Sequence, residues 1–423
     1  MADVSTLTDP RGYWGDLTSE ERGVAGFLAA AVLVLLALML TGVLNPTYFL
    51  FLFGLGGMFG LMSLGLNAQW GYTGLINFSV AAFFGLGAYG AAIMTASNSP
   101  IAGDMNPIFG LVLGLILSAI VAIAIGIPTL RLRADYLAIA SLGLAEVVRL
   151  IILNEGQWTA GSQGLRGIPQ FFEGWPVLST LPETLPQVNI EVIPGRVVTL
   201  GFPFWRQLLN VTLVLTFMAG AYLVLRRAHR SPWGRVLRTI RADEDLAKAL
   251  GKNTYFFKMQ SFVLGCLVMA LAGVFFAHLQ LFVNPGNLDP TTTFYVWVAV
   301  ILGGAGSNRG ALFGGFVVVA IREGPRFIEQ LPPAFLTEFP PGFLRDLAFI
   351  TDDVLFELPS IAISPGPLQL LLVGLLIVLI MRFRPEGMLP PQRELIWPDA
   401  VDENVRKRPD SGVREQRGGD GDE

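Results

Sequence analysis

Apolar runs about as long as a bilayer is thick recur along the whole chain, separated by short polar stretches. Roughly 20 apolar residues cross the ~30 Å hydrocarbon core, so each such run predicts a membrane-spanning helix. The runs are Ala25–Leu44, Phe49–Leu66, Val80–Ala96, Pro107–Ile127, Tyr136–Leu153, Trp205–Leu225, Met259–Val283 and Gly366–Met381. Two shorter pieces, Phe294–Leu302 and Ala311–Ile321, flank a glycine-rich interruption. Counting them separately predicts ten spans and places both termini on one side. Several boundaries carry their own stop signals. Asn45-Pro46 closes the first run, and Thr18 followed by Glu21 has the spacing of a capping box at its start.

Two polar, glycine-rich stretches break this pattern. Asn67–Ser79 (NAQWGYTGLINFS) is too polar for an ordinary span, and Gly303–Gly310 (GGAGSNRG) splits another. Backbone that leaves the helix at membrane depth must be buried in protein or line a wet cavity, because lipid cannot satisfy its N–H and C=O groups. Paired interruptions in two halves point to a pathway near the midplane and to an internal repeat. Asn67, Gly71, Gly74, Asn77 and Ser79 in the first break, with Gly303, Gly304, Gly306 and Ser307 in the second, are the candidate pathway residues.

Charge sets the expected orientation. Residues 226–258 hold nine Lys or Arg, whereas 154–204 hold Arg166 and Arg196 alone. The positive-inside rule therefore puts 226–258 in the cytoplasm and 154–204 outside. The transmembrane domain is expected over 25–383, preceded by a cytoplasmic segment 1–24 without the features of a signal peptide. A proline-rich, partly amphipathic insertion is expected at 322–365. The acidic, glycine-rich tail, 384–423, has the composition of a cytoplasmic disordered segment.

Within the basic segment, Asp243, Glu244 and Asp245 open a short helical run that closes at Gly251. Acid at a helix start and glycine just past its end are the expected signals. Leu246, Ala247, Ala249 and Leu250 beside Lys248 offer a small apolar face suited to another protein's groove. In the fifth span, Glu146 and Arg149 lie three residues apart and can pair on one helix face.

Composition narrows the chemistry. The chain is 52% apolar and 15% charged, with a mean hydropathy of +0.57. Those values describe an all-α polytopic membrane protein. One cysteine and two histidines provide neither a disulfide nor a metal cluster, so no cofactor is expected. Phosphate-binding GxxxxGK[ST], HExxH and GxSxG patterns are absent from the sequence, so this is not expected to be an enzyme, and any ATP hydrolysis belongs to another chain.

The segments GYTGLINFSVAAFFGLGAYGAA, LRLRADYLAIASLGLAEVVRLIILN, GSQGLRGIP, SPWGRVLRTIRADEDLAKALGKNTYFFK and ILGGAGSNRGALFGG follow one another in this order. In that order they resemble the branched-chain amino acid ABC transporter permeases, LivM branch. The resemblance covers Phe49 to Ile321 and the last span. It implies a plasma-membrane importer subunit working by alternating access with a second, related permease, two cytoplasmic ATPases and an extracytoplasmic binding protein. Glu244, Ala247 and Gly251 match the family's coupling sequence, from which Lys248 departs where a second alanine stands. Relatives of the same kind carry urea or short amides, a second substrate class. An ion-driven secondary transporter and a membrane-embedded enzyme are the other classes; the first needs unpaired acids within spans, and the second a paired-carboxylate, His or Cys constellation.

Overall fold

The computed structural model describes residues 45–193, 196–330, 365–384 and 386–390. The expected first span, most of the 322–365 insertion and most of the tail lie outside those residues. Nearly every described segment is helical. Five helices among them are long and apolar enough to cross a membrane by length and composition.

Helix α1 (Pro46–Leu66) opens at Asn45, whose side chain accepts from the Thr47 N–H at 2.9 Å. It continues through one π turn, Asn67–Gly71, and then leaves helical geometry. Residues 74–79 form an irregular stretch that opens at Gly74 with φ of 75°, and α2 (Val80–Thr95) follows. Helices α3 (Pro107–Thr129) and α4 (Ala134–Asn154) complete the first half.

Helix α1 and the later helix α9 (Thr254–Gln280) form the centre, with 72% and 78% of their most apolar windows buried. Close approach is what glycine permits here. A Cβ on Gly65 would sit 2.7 Å from the Gly265 carbonyl oxygen, and one on Gly265 would sit 2.5 Å from that of Gly65. Helix α3 packs through a stripe of small residues every fourth position, Gly110, Gly114, Ser118, Ala122 and Gly126, all buried. Its Ile116, Ile120 and Ile127 face outward, as a lipid-contacting surface requires.

Residues 154–204, expected as a loop, carry structure of their own. They contain α5 (Pro176–Thr184) and a hairpin of β2 (Val188–Ile193) with β3 (Arg196–Leu200). A two-residue strand β1 (Leu165–Arg166) pairs antiparallel with β4 (Phe282–Val283), which follows α9. The Ser97 N–H donates to the Gly167 carbonyl, and Asn106 Nδ2 to that of Gly174. The α2–α3 turn, the 154–204 segment and the turn after α9 thus share one end of the bundle.

The opposite end is built from α6 (Phe202–Arg230), α7 (Pro232–Ala242) and α8 (Glu244–Ala249). Helix α10 (Pro290–Gly303) is one of two short apolar helices, and residues 304–307 turn the chain into α11 (Asn308–Gln330). Helix α11 corrects the expected boundary at Ile321 by running on to Gln330. The charges in this extension are accommodated: Glu323 is 4% exposed and lies 3.6 Å from Arg322, whose guanidinium lies over Phe59 and Tyr295. Helix α12 (Pro365–Phe383) follows. The tail also begins later than expected, since Met388 and Leu389 donate to the carbonyls of Leu302 and Gly303.

Candidate functional site

Both sequence breaks are breaks in the structure, and they meet. Asn67, fully buried in the π turn, accepts from the Gly306 N–H at 2.7 Å and donates through Nδ2 to Asn308 Oδ1 at 2.9 Å. Tyr72 donates its phenol to the same Asn308 oxygen at 2.7 Å. Gly71 allows this approach, because a Cβ there would sit 2.7 Å from the Gly306 nitrogen. Gly304 and Gly306 turn the second break with φ of 108° and 96°, values that side chains disfavour. Ser307 Oγ accepts from the Gly310 N–H at 3.1 Å and starts α11. Gly303 packs against the Gly310 backbone.

The backbone freed by the first break is satisfied from α9 and from its own side chains. Asn77 donates through Nδ2 to Gln69 Oε1 at 2.8 Å, and Gln69 Nε2 donates to the Phe262 carbonyl at 2.8 Å. Ser261 Oγ donates to the Ala68 carbonyl at 2.6 Å. Asn77 Oδ1 accepts from the Ser79 N–H at 2.8 Å, while Trp297 Nε1 donates to the Asn77 carbonyl at 3.1 Å. Such closure is what irregular backbone at membrane depth requires. Gln69, Tyr72, Trp297 and Asn308 were not singled out by sequence, because, the Gln69–Asn77 bond apart, these side-chain partners lie 193 to 241 positions away.

The irregular stretch has two sides. Leu75, Asn77 and Ser79 are buried, whereas Gly74, Ile76 and Phe78 alternate with them and are half-exposed. Phe78 stacks on Trp297 at 4.9 Å and touches Phe294 at 5.7 Å; Trp70 meets Trp297 at 4.8 Å. An aromatic edge with accessible surface therefore runs beside the buried polar network. Among the expected pathway residues, Asn67, Gly71, Asn77, Ser79, Gly303, Gly304 and Gly306 are buried structural members, and Gly74 and Ser307 keep accessible surface.

The basic segment reaches the same place. Arg241, at the end of α7, donates to the Gly71 carbonyl, and its Cγ lies 3.6 Å from where a Gly74 Cβ would be. Asp243 then caps α8, accepting from the N–H groups of Asp245 and Leu246 at 2.9 and 3.0 Å. Gly251, with φ of 74°, ends the turn, and the Lys252 N–H returns to the Ala247 carbonyl at 3.1 Å.

Within the expected docking segment the side chains divide between two sides. Ala247 is fully buried against its own chain, and Glu244 points the same way, ion-paired with Lys258 and accepting from Thr254 Oγ1 at 3.0 Å. A six-residue helix has too few internal bonds to stand alone, so one face must be clamped to the bundle. The outward residues are Leu246 and Leu250, 52% and 63% exposed, with Lys248 paired to Asp245 at 3.2 Å. Burial works against the Glu244 charge, but Lys258, Thr254 and Lys248 outweigh it and hold the carboxyl below its ordinary value.

Glu146 and Arg149 pair as their spacing implies, through bonds of 2.9 and 2.5 Å. They lie apart from the two breaks' hydrogen-bond network.

A model of the family described as branched-chain amino acid transport system, permease component, matches residues 48–381. The chain is 27% identical to the high-affinity branched-chain amino acid transport system permease protein LivM of Escherichia coli K12 over 335 residues, covering 79% of this chain and 68% of that protein. The probable LivM permease of Methanocaldococcus jannaschii is 26% identical over 374 residues, 81% of this chain and 93% of that protein. The LivH permease of Salmonella typhimurium is 25% identical, covering 62% of this chain and 80% of LivH. No solved structure matches significantly.

Proposed function

Because the chain belongs to the family of branched-chain amino acid transport permease components, we propose that it is one membrane subunit of an ABC importer for branched-chain or similar small apolar amino acids. It works by alternating access beside a second, related permease, on two separate ATPases, and receives substrate from an extracytoplasmic binding protein. The LivM and LivH relatives, named as permeases of such systems, support the pairing. The carrying observation is the joint at Asn67, where two helix breaks share one buried polar network. Substrate passes along the half-exposed edge of Trp70, Gly74, Ile76 and Phe78 and not through the buried side of the breaks, which has no room for it. The second permease supplies the facing wall. The about ten spans, with both termini cytoplasmic, and an internal repeat built on the two helix–break–helix units belong to this reading.

Coupling runs through α8 and Arg241. An ATPase groove takes the outward Leu246 and Leu250, and movement of this segment pulls on the Gly71 carbonyl through Arg241. A secondary transporter is less well supported: the membrane-depth acids Glu146 and Glu323 both have arginine partners. Urea or short amides remain the rival substrate class.

The test is uptake of L-leucine, urea and acetamide by vesicles holding this chain with the second permease, ATPases and binding protein of its own genome. ATP-dependent leucine uptake that survives collapse of ion gradients is the expected result. Uptake that needs a gradient and ignores ATP overturns it.

A further inference from the structure

Glu146 and Arg149 have no place in the break network or in coupling, yet charge at membrane depth is expensive enough to mark function by default. The pair closes on itself through two bonds but is not buried. Here the side chains of Arg149 and Glu146 remain 27% and 40% exposed. A third charge, Asp289, stands at the start of α10, and the turn just before it, Pro285–Leu288, packs against α4. Asp289 caps α10, accepting from the Thr291 N–H at 2.7 Å; its carboxyl is held below the ordinary value chiefly by Thr291, with Arg149 adding to the effect.

Apolar surface adjoins this triad. Phe294, half-exposed at 50%, stands just over one turn into the helix that Asp289 caps, against Phe78. Ser141, on the same helix as Glu146, accepts from the Phe78 N–H at 2.9 Å and fixes α4 against the irregular stretch.

We propose that Glu146, Arg149 and Asp289, with Phe78 and Phe294, form a receiving site for a zwitterionic amino acid bearing an apolar side chain. The inference rests on the transport function proposed above and names how its substrate is chosen. The planar guanidinium offers five donors, so Arg149 holds an α-carboxylate on one edge while keeping Glu146 on another. Asp289 and the lone pairs of Glu146 that Arg149 leaves unused accept from the α-ammonium, and the side chain lies on the phenylalanine rings. Urea and short amides match neither the charges nor the apolar surface.

The test uses the assembled importer in vesicles, with radiolabelled L-leucine at saturating concentration. The double exchange Glu146→Arg with Arg149→Glu keeps an ion pair at the same spacing but moves the cation by one turn. Asp289→Asn keeps the helix cap, since asparagine caps as well as aspartate, and removes one charge. Both are expected to reach normal membrane levels and to lose at least tenfold in leucine uptake. A structural role for the pair predicts that the exchange restores uptake. Wild-type uptake by either variant overturns the proposal, and if the exchange fails to insert, Asp289→Asn decides alone. Wild-type vesicles that take up no leucine defeat the transport function itself, an outcome distinct from leucine uptake that ignores these charges.

Discussion

Asn67 shows how one side chain ties two distant parts of the chain. Its amide uses both ends, one for the Gly306 N–H and one for Asn308, at a position with no exposure. Removing one partner of a buried hydrogen bond costs about 1–3 kcal/mol, and Asn67→Ala strands the Gly306 N–H, while Asn308 Oδ1 keeps only Tyr72. The variant is expected to melt several degrees lower in detergent, with leucine uptake lost even where protein remains; an unchanged melting profile counts against the joint. Asparagine in an apolar run was legible as an anomaly. Its partners were not, because Gly306 lies 239 positions away and only folding brings them together. Arg241 is the same case: its charge was visible, but not that it reaches Gly71. Arg241→Met should therefore leave ATPase binding intact and uncouple hydrolysis from uptake, read as the ratio of ATP hydrolysed to leucine moved.

At the scale of elements, the ends of α8 were legible and its orientation was not. Asp243 and Gly251 act as the cap and terminator that their positions imply. Which face turns inward depends on Lys258, fourteen positions after Glu244, and on the pocket that buries Ala247. The expected consequences divide accordingly. Leu246→Asp with Leu250→Asp should abolish co-purification of the ATPase and leave the bundle intact. Ala247→Trp should instead overfill the chain's own packing, raising tryptic cleavage at Lys248 and Lys252. Glu244 also gives a pH signature. Its folded-state value is lowered, so its contribution is fully present above the ordinary carboxylate value and fades as pH falls through the lower one. Attachment of the segment, followed by the same cleavage, should be constant from neutral pH down to the ordinary range and loosen only below it. The stripe on α3, from Gly110 to Gly126, was readable as small residues at every fourth position, a stronger signal than hydropathy alone.

Across the whole molecule, hydropathy placed the long helices, because lipid leaves the backbone few alternatives to helix. It did not reveal β2 and β3, whose alternation in VNIEVI and RVVTL is short and lies among prolines and glycines. Neither did it show β1 pairing with β4, 116 positions apart at Arg166 and Phe282. These contacts put residues 154–204 and the turn after α9 at one end, and the basic α7–α8 segment at the other. Which end faces the cytoplasm follows from charge alone: nine Lys or Arg in 226–258 against two in 154–204. Cysteine labelling on intact cells settles it. Cys266 is buried and is replaced by alanine without stranding Gln69, which keeps the Phe262 carbonyl. Single cysteines then go to Thr180 and Ala249, both exposed and neither an α7 or α8 cap. An impermeant thiol reagent should label Thr180→Cys on intact cells and Ala249→Cys only after lysis. Labelling of Ala249→Cys alone on intact cells would reverse the molecule, put Leu246 and Leu250 beyond the reach of any ATPase, and remove the coupling mechanism with them.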